Sequence, residues 1–198
     1  MRALVVCLLI ASAALAAPKP ERARSEALAT IARLGGTFRA DSSRAGAPIV
    51  WVDLHATAVQ DSDLAALAGL TSLQHLDLRL TTIGDSGAKL LTGLTELRFV
   101  NLFRTRVGDM GIAAFYTSAK IETLLIGGTR ISDEGLFSFG ALPELRRLSL
   151  FDTKVSDVGL TRLTGHAKLE SVLTTKSNVT AGGQATLQKA LPKVRFSE

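Results

Sequence analysis

The chain of 198 residues has a single cysteine, Cys7, and it lies in the apolar stretch at the start. Once that stretch is set aside, no disulfide, thiolate nucleophile or zinc–thiolate site remains to be argued for. Aromatic residues are scarce at 5%, with one Trp and one Tyr, although 46% of residues are hydrophobic. The apolar mass is therefore Leu, Ala, Val and Ile, which suits many small equivalent layers better than one core around large rings. The same apolar fraction excludes a disordered or highly charged chain. Positive charge is only mildly in excess: the formal net charge is +5, or +4 without Arg2. No concentrated run of Lys and Arg marks a face for nucleic acid, so no nucleic-acid partner is expected. A serine-histidine-aspartate order, a phosphate-cradling glycine loop and a histidine-pair zinc motif are missing as well. No cofactor, metal or catalytic residue is expected.

The N-terminus carries information of its own. Met1-Arg2 makes a short basic start, Ala3 to Leu15 is apolar except for Ser12, and Ala14-Leu15-Ala16 offers a small-x-small pattern before Ala17-Pro18. This three-part layout reads as a secretory signal peptide over residues 1–16. The apolar stretch is short for a bilayer span, and Cys7 comes too early in it for a lipid-anchor site. The expectation is an exported chain, periplasmic or extracellular and bacterial, with no stable membrane insertion after cleavage.

The strongest signal is a period of 24 residues. Leu73, Leu97, Ile121, Leu145 and Leu169 are spaced at this interval, and Ile49 extends the series backwards. Such a period means stacked units and takes precedence over local patterns. Within a unit, positions one, four and six are apolar in nearly every copy, as in Leu97, Val100 and Leu102. The alternation predicts a short strand with one buried face. Position nine is Thr57, Thr81, Thr105, Thr129, Thr153 and Ser177, a hydroxyl column expected to bond backbone groups of the neighbouring turn. Position eleven is apolar again. Position thirteen is Asp61, Asp85, Asp109, Asp133 and Asp157, each placed to cap the start of its own helix. Gly87, Gly111, Gly135, Gly159 and Gly183 recur two residues later and read as structural. His166 falls late in the fifth unit and reads as a partly buried structural histidine.

The pattern L-x-x-L-x-L-x-x-T-x-[IV]-x-D-x-G-L-x-x-L resembles leucine-rich repeats. It is similar to the subtype of bacterial secreted repeat proteins and of the repeat region of F-box proteins, although no F-box-like segment lies upstream. The resemblance implies an α/β solenoid: a right-handed coil with a concave parallel sheet and short convex helices. Ala181 replaces the Asp in the sixth unit, as a degenerate last unit near a cap would allow. The expected organisation is a signal peptide over 1–16, an N-terminal cap of helix plus strand over 17–48, six repeats over 49–192 and a C-terminal edge strand over 193–198. In the cap, Ala27, Leu28, Ile31 and Leu34 sit at helical spacing.

Function must then sit where the repeat demands nothing. Residues 24 apart stack at about 4.8 Å in such a sheet, so the outward columns can be written down. One holds Trp51, His75, Phe99, Thr123, Arg147 and Ser171; the next Asp53, Asp77, Asn101, Leu125, Ser149 and Leu173; a third His55, Arg79, Phe103, Gly127, Phe151 and Thr175. Exposed aromatics beside arginines resemble interface composition. Trp51, His75, Phe99, Arg79, Phe103 and Arg104 are the expected ligand-facing patch, for a protein or peptide partner. A rigid spacer without a dedicated ligand is the alternative. Catalysis or metal binding through Asp53, His55, His75 and Asp77 ranks third, because an open face lacks the dry pocket that strengthens electrostatic catalysis.

Overall fold

Apolar residues recurring every 24 positions are buried together only if each unit makes one turn of a coil and stacks on the last. The computed structural model describes residues 19–137, 139 and 142–197; the signal-peptide reading lies outside them. Eight strands form one sheet in chain order: β1 (Thr37–Ala40), β2 (Ile49–Asp53), β3 (His75–Asp77), β4 (Phe99–Asn101), β5 (Thr123–Leu125), β6 (Arg147–Ser149), β7 (Ser171–Leu173) and β8 (Arg195–Ser197). β1 pairs antiparallel with β2, and every later pair is parallel. The register advances by one unit per strand, with Trp51, His75, Phe99, Thr123, Arg147 and Ser171 side by side.

Helix α1 (Lys19–Arg33) covers the first layer, with Ala27 and Ile31 fully buried and Leu28 and Leu34 partly so. The connections on the other side of the coil are short α-helices and 3-10 turns: α2 (Asp85–Lys89), α3 (Asp109–Ile112), α4 (Asp157–Leu160) and the longer α5 (Ala181–Ala190). Their brevity follows from the unit, which leaves few residues between strand and strand. The core is the set of inward columns, for example Val52, Leu76, Val100, Leu124, Leu148 and Val172, all at most 2% exposed. Two polar departures in one inward column are each satisfied by the preceding repeat. Ser118 Oγ donates to the Leu94 carbonyl at 2.6 Å, and His166 Nε2 donates to the Phe139 carbonyl at 2.8 Å. His166 is thus fully interior rather than partly buried, at 4% exposure.

Two expectations need correction. The hydroxyl column does not bridge turns. Each hydroxyl donates to a carbonyl three residues back in its own unit, as from Thr81 to Leu78 (2.6 Å) and from Thr105 to Leu102 (2.8 Å). The inter-turn amides are already used: Leu78 N donates to Asn101 O and Leu80 N to Phe103 O. The strand ladder runs past the strand into a turn whose eighth residue has positive φ, at Ala56, Leu80, Arg104, Gly128, Asp152 and Lys176. Only Gly128 takes that conformation without a steric cost.

The aspartate column, in turn, does not cap its own helices. Asp85 and Asp109 are first helical residues, behind caps at Gly84 and Gly108 that have no side chain to offer. Their carboxylates face the following unit: Gly84 N donates to Asp61 (2.8 Å), Gly108 N to Asp85 (2.6 Å), Ser132 N to Asp109 (2.8 Å), Ser156 N to Asp133 (2.7 Å) and Thr180 N to Asp157 (2.8 Å). From Ser132 onward the hydroxyl at that position donates to the second carboxylate oxygen too. The recurring glycines make room for this ladder. A Cβ at Gly87 would lie 2.5 Å from Asp61 Oδ1, and one at Gly135 the same distance from Asp109 Oδ1. The outer units depart from this pattern: the first carries Asp63 where the others have Gly, and the sixth carries Ala181 where the others have Asp. Asp63 instead accepts from Gln60 N and pairs with Arg33 of the cap helix at 2.5 Å.

Candidate functional site

The outward face of the sheet divides into the three columns expected from the period, but they differ in kind. The first is a ring stack. Trp51 and His75 have centroids 5.2 Å apart, and His75 and Phe99 lie parallel at 4.0 Å. Arg39, on β1, places its guanidinium 4.7 Å above the Trp51 ring and so extends the stack to a fourth strand. Sequence reasoning missed Arg39 because β1 stands outside the 24-residue period. The signal was available in the antiparallel hairpin, which pairs Arg39 with Trp51. All three rings are half-buried. Burial pushes the His75 imidazole below its ordinary value and Arg39 adds to this, against the opposing pull of the Asp77 and Asp53 carboxylates.

The middle column is not an open surface, which corrects the expectation that the fold needs nothing there. Asp77, Asn101 and Ser149 are 5%, 3% and 7% exposed. The first three side chains of the column close the strand ends: Asp53 accepts from His55 N (2.9 Å), Asp77 from Arg79 N (3.0 Å) and Asn101 from Phe103 N (3.1 Å). These are Asx-type turns. Asn101 Nδ2 also donates to Asp77 (3.2 Å), and Arg79 Nη1 stands 3.5 Å from the same carboxylate.

The third column carries the rest of the expected patch. Phe103 and Phe151 flank Gly127 with centroids 6.1 Å apart, and a Cβ at Gly127 would crowd both. Arg104, held at positive φ, lies 5.2 Å over the Phe103 ring. Lys176 stands over Phe151 in the same way, at 5.4 Å. Of the six expected residues, Trp51, His75 and Phe99 therefore form one group. Phe103 and Arg104 form a second, and Arg79 is turned toward Asp77 between them. Beside the second group is a hollow of about 420 Å³ lined by Arg79, Asn101, Phe103, Leu125, Arg147 and Leu173, among others.

The catalytic constellation does not assemble as the column arithmetic allowed. Asp53 and His55 share a hydrogen bond of 2.7 Å within one strand end. Burial alone would raise the Asp53 carboxyl, but the two hydrogen bonds from His55 hold it below its ordinary value. Asp77 is committed to Arg79 and Asn101, and His75 is sandwiched between rings. Among the described residues no group of three or more His, Cys, Asp or Glu side chains is placed to hold a metal ion.

A family model described as Leucine Rich repeat matches residues 69–91. The fold is that of a leucine-rich-repeat solenoid. Similar solved structures include an internalin of Listeria monocytogenes, at 19% identity and a TM-score of 0.54 over 68% of this chain and 43% of that one. Internalin C2 of the same organism is 24% identical with a TM-score of 0.51, over 67% and 55%. A leucine-rich-repeat protein of Leptospira interrogans is 15% identical with a TM-score of 0.50, over 68% and 39%. The chain thus spans between 39% and 55% of the length of these structures. No curated protein sequence matches it. The likeness is one of fold, and leucine-rich-repeat domains commonly mediate protein–protein interaction.

Proposed function

We propose that this solenoid is an exported, non-enzymatic module that binds a protein or peptide partner through its concave face. The observation that carries the reading is the ring stack of Arg39, Trp51, His75 and Phe99. Four strands devote outward positions to a continuous π surface that the repeat itself does not require. The hollow of about 420 Å³ beside Phe103 supports it, since it is lined by Arg79, Phe103, Leu125, Arg147 and Leu173, a mixed apolar and cationic set that suits an incoming side chain. Rigid aromatic and arginine side chains are what interfaces use as anchors. Export rests on the layout of residues 1–16, and no helix among the described residues is long and apolar enough to cross a membrane.

The test is affinity capture from envelope extract and culture fluid, with the protein and a Phe99→Ser, Phe103→Ser, Arg104→Glu variant as baits. The expected result is a partner held by the first and lost by the second, while circular dichroism shows both folded. Identical capture by both baits would remove the concave face from the account and favour a spacer.

A further inference from the structure

Stacked repeats bring like positions together, and this chain usually handles charge in such columns by alternating its sign. Glu96, Lys120, Glu144 and Lys168 form one column, with Lys120 bonded to Glu96 at 2.7 Å and Lys168 to Glu144 at 2.6 Å. Arg98, Glu122, Arg146 and Glu170 form another, paired at 2.6 and 2.5 Å. Two columns keep a single sign: the aspartate ladder, whose carboxylates accept backbone amides of the following repeat, and a row of cations. Arg106, Arg130 and Lys154 occupy the tenth position of three successive repeats, all exposed and, among the described residues, in no ion pair. They cannot drift apart at the backbone. Arg106 N donates to Ile83 O, Arg130 N to Val107 O and Lys154 N to Ile131 O, a second ladder that holds the column at the solenoid spacing. That spacing is about 4.8 Å. The aspartate ladder runs beside the row, with Asp85 and the Arg130 Cβ both next to Gly108, but Asp85 Oδ1 accepts the Gly108 amide and Asp109 Oδ1 the Ser132 amide, and neither carboxylate forms an ion pair with the row.

Like charges directly opposite on neighbouring strands are unfavourable, and the two alternating columns show that the fold has the remedy. We infer that the row Arg106–Arg130–Lys154 is a second binding surface, on the rim beyond the concave face, for an acidic polypeptide segment. A polypeptide fits better than a saccharide or nucleic acid because the same three repeats also expose apolar side chains. Met110, Phe137 and Val158 are 65%, 66% and 64% exposed. Carboxylates three or four residues apart on a helix lie about 5–6 Å from one another, close to the spacing of the row. The inference is independent of the concave-face reading.

The test uses the purified protein and a fluorescent glutamate–tyrosine copolymer as the probe, at low and physiological salt. Arg130→Glu restores alternating sign; Lys89→Glu makes the same charge change on a helix outside the row. Arg130→Glu is expected to weaken binding by about tenfold or more and to raise the melting temperature by about 1–3 °C. Lys89→Glu is expected to bind within about twofold of the unaltered protein. Equal losses in the two variants would reduce the effect to net charge and overturn the inference, as would a lowered melting temperature for Arg130→Glu. So would preferential binding of a sulfated polysaccharide, single-stranded DNA or phosphatidylglycerol vesicles at matched charge concentration. Loss here with intact partner capture by the concave face would separate the two surfaces.

Discussion

Asp109 and Gly135 lie in different repeats, yet each sets what the other position tolerates. The carboxylate accepts from Ser132, and the glycine leaves the space in which it does so. Asp109→Ala is expected to cost about 1–3 kcal/mol, because it leaves a part-buried amide without its partner. Gly135→Ala should also destabilise, by pressing a methyl group on the carboxylate. In the double variant that clash is absent, so urea titrations should show the two costs falling short of additive by about 0.5–3 kcal/mol. Strict additivity would contradict the ladder. The D-x-G spacing was legible as a motif but was assigned to helix capping, because in sequence the Asp precedes its own helix. Its true partner is 23 residues on, where only the stacked structure brings it. His75 gives a second test at this scale. Its neutral form is favoured by burial between two rings, so it contributes stability that is full above the unfolded value of about 6.5 and declines as pH falls through it. An NMR titration should place His75 below the ordinary histidine range, and Phe99→Ala should move it back up. A value at or above the ordinary range would contradict the stack.

At the scale of the element, the residues in and just after each three-residue strand alternate between the core and the outward face. Leu102 is fully buried, whereas its neighbour Phe103 is only half-buried. Leu102→Ala should cost about 2–5 kcal/mol in a denaturant titration and Phe103→Ala distinctly less; equal costs would mean the faces are misassigned. This division was readable from the sequence, since alternation of apolar and polar residues states which side faces inward. The middle outward column was not readable in the same way. Asp77 and Asn101 look like surface polar residues in a list, and their burial arises only because larger side chains stand on both sides and because they close the strand ends. The hairpin partner of the first repeat was also beyond reach of the period, which is why Arg39 entered the site only through the structure.

For the whole molecule, the period carried most of the architecture, because a solenoid is a one-dimensional stack in which one unit predicts the next. The two proposed surfaces rest on departures from that regularity: rings where the columns need none and an exposed row of cations. Such departures are visible in the sequence, but the sequence does not say what they meet. The concave-face proposal is best tested by position-specific photo-crosslinking in the source cells. A photoreactive phenylalanine analogue would be placed at position 99 or 103 on the concave side and at position 89 on a convex helix. The account predicts a discrete crosslinked partner from positions 99 and 103 and none from position 89. Crosslinks from position 89 alone, or the same products from all three positions, would contradict it.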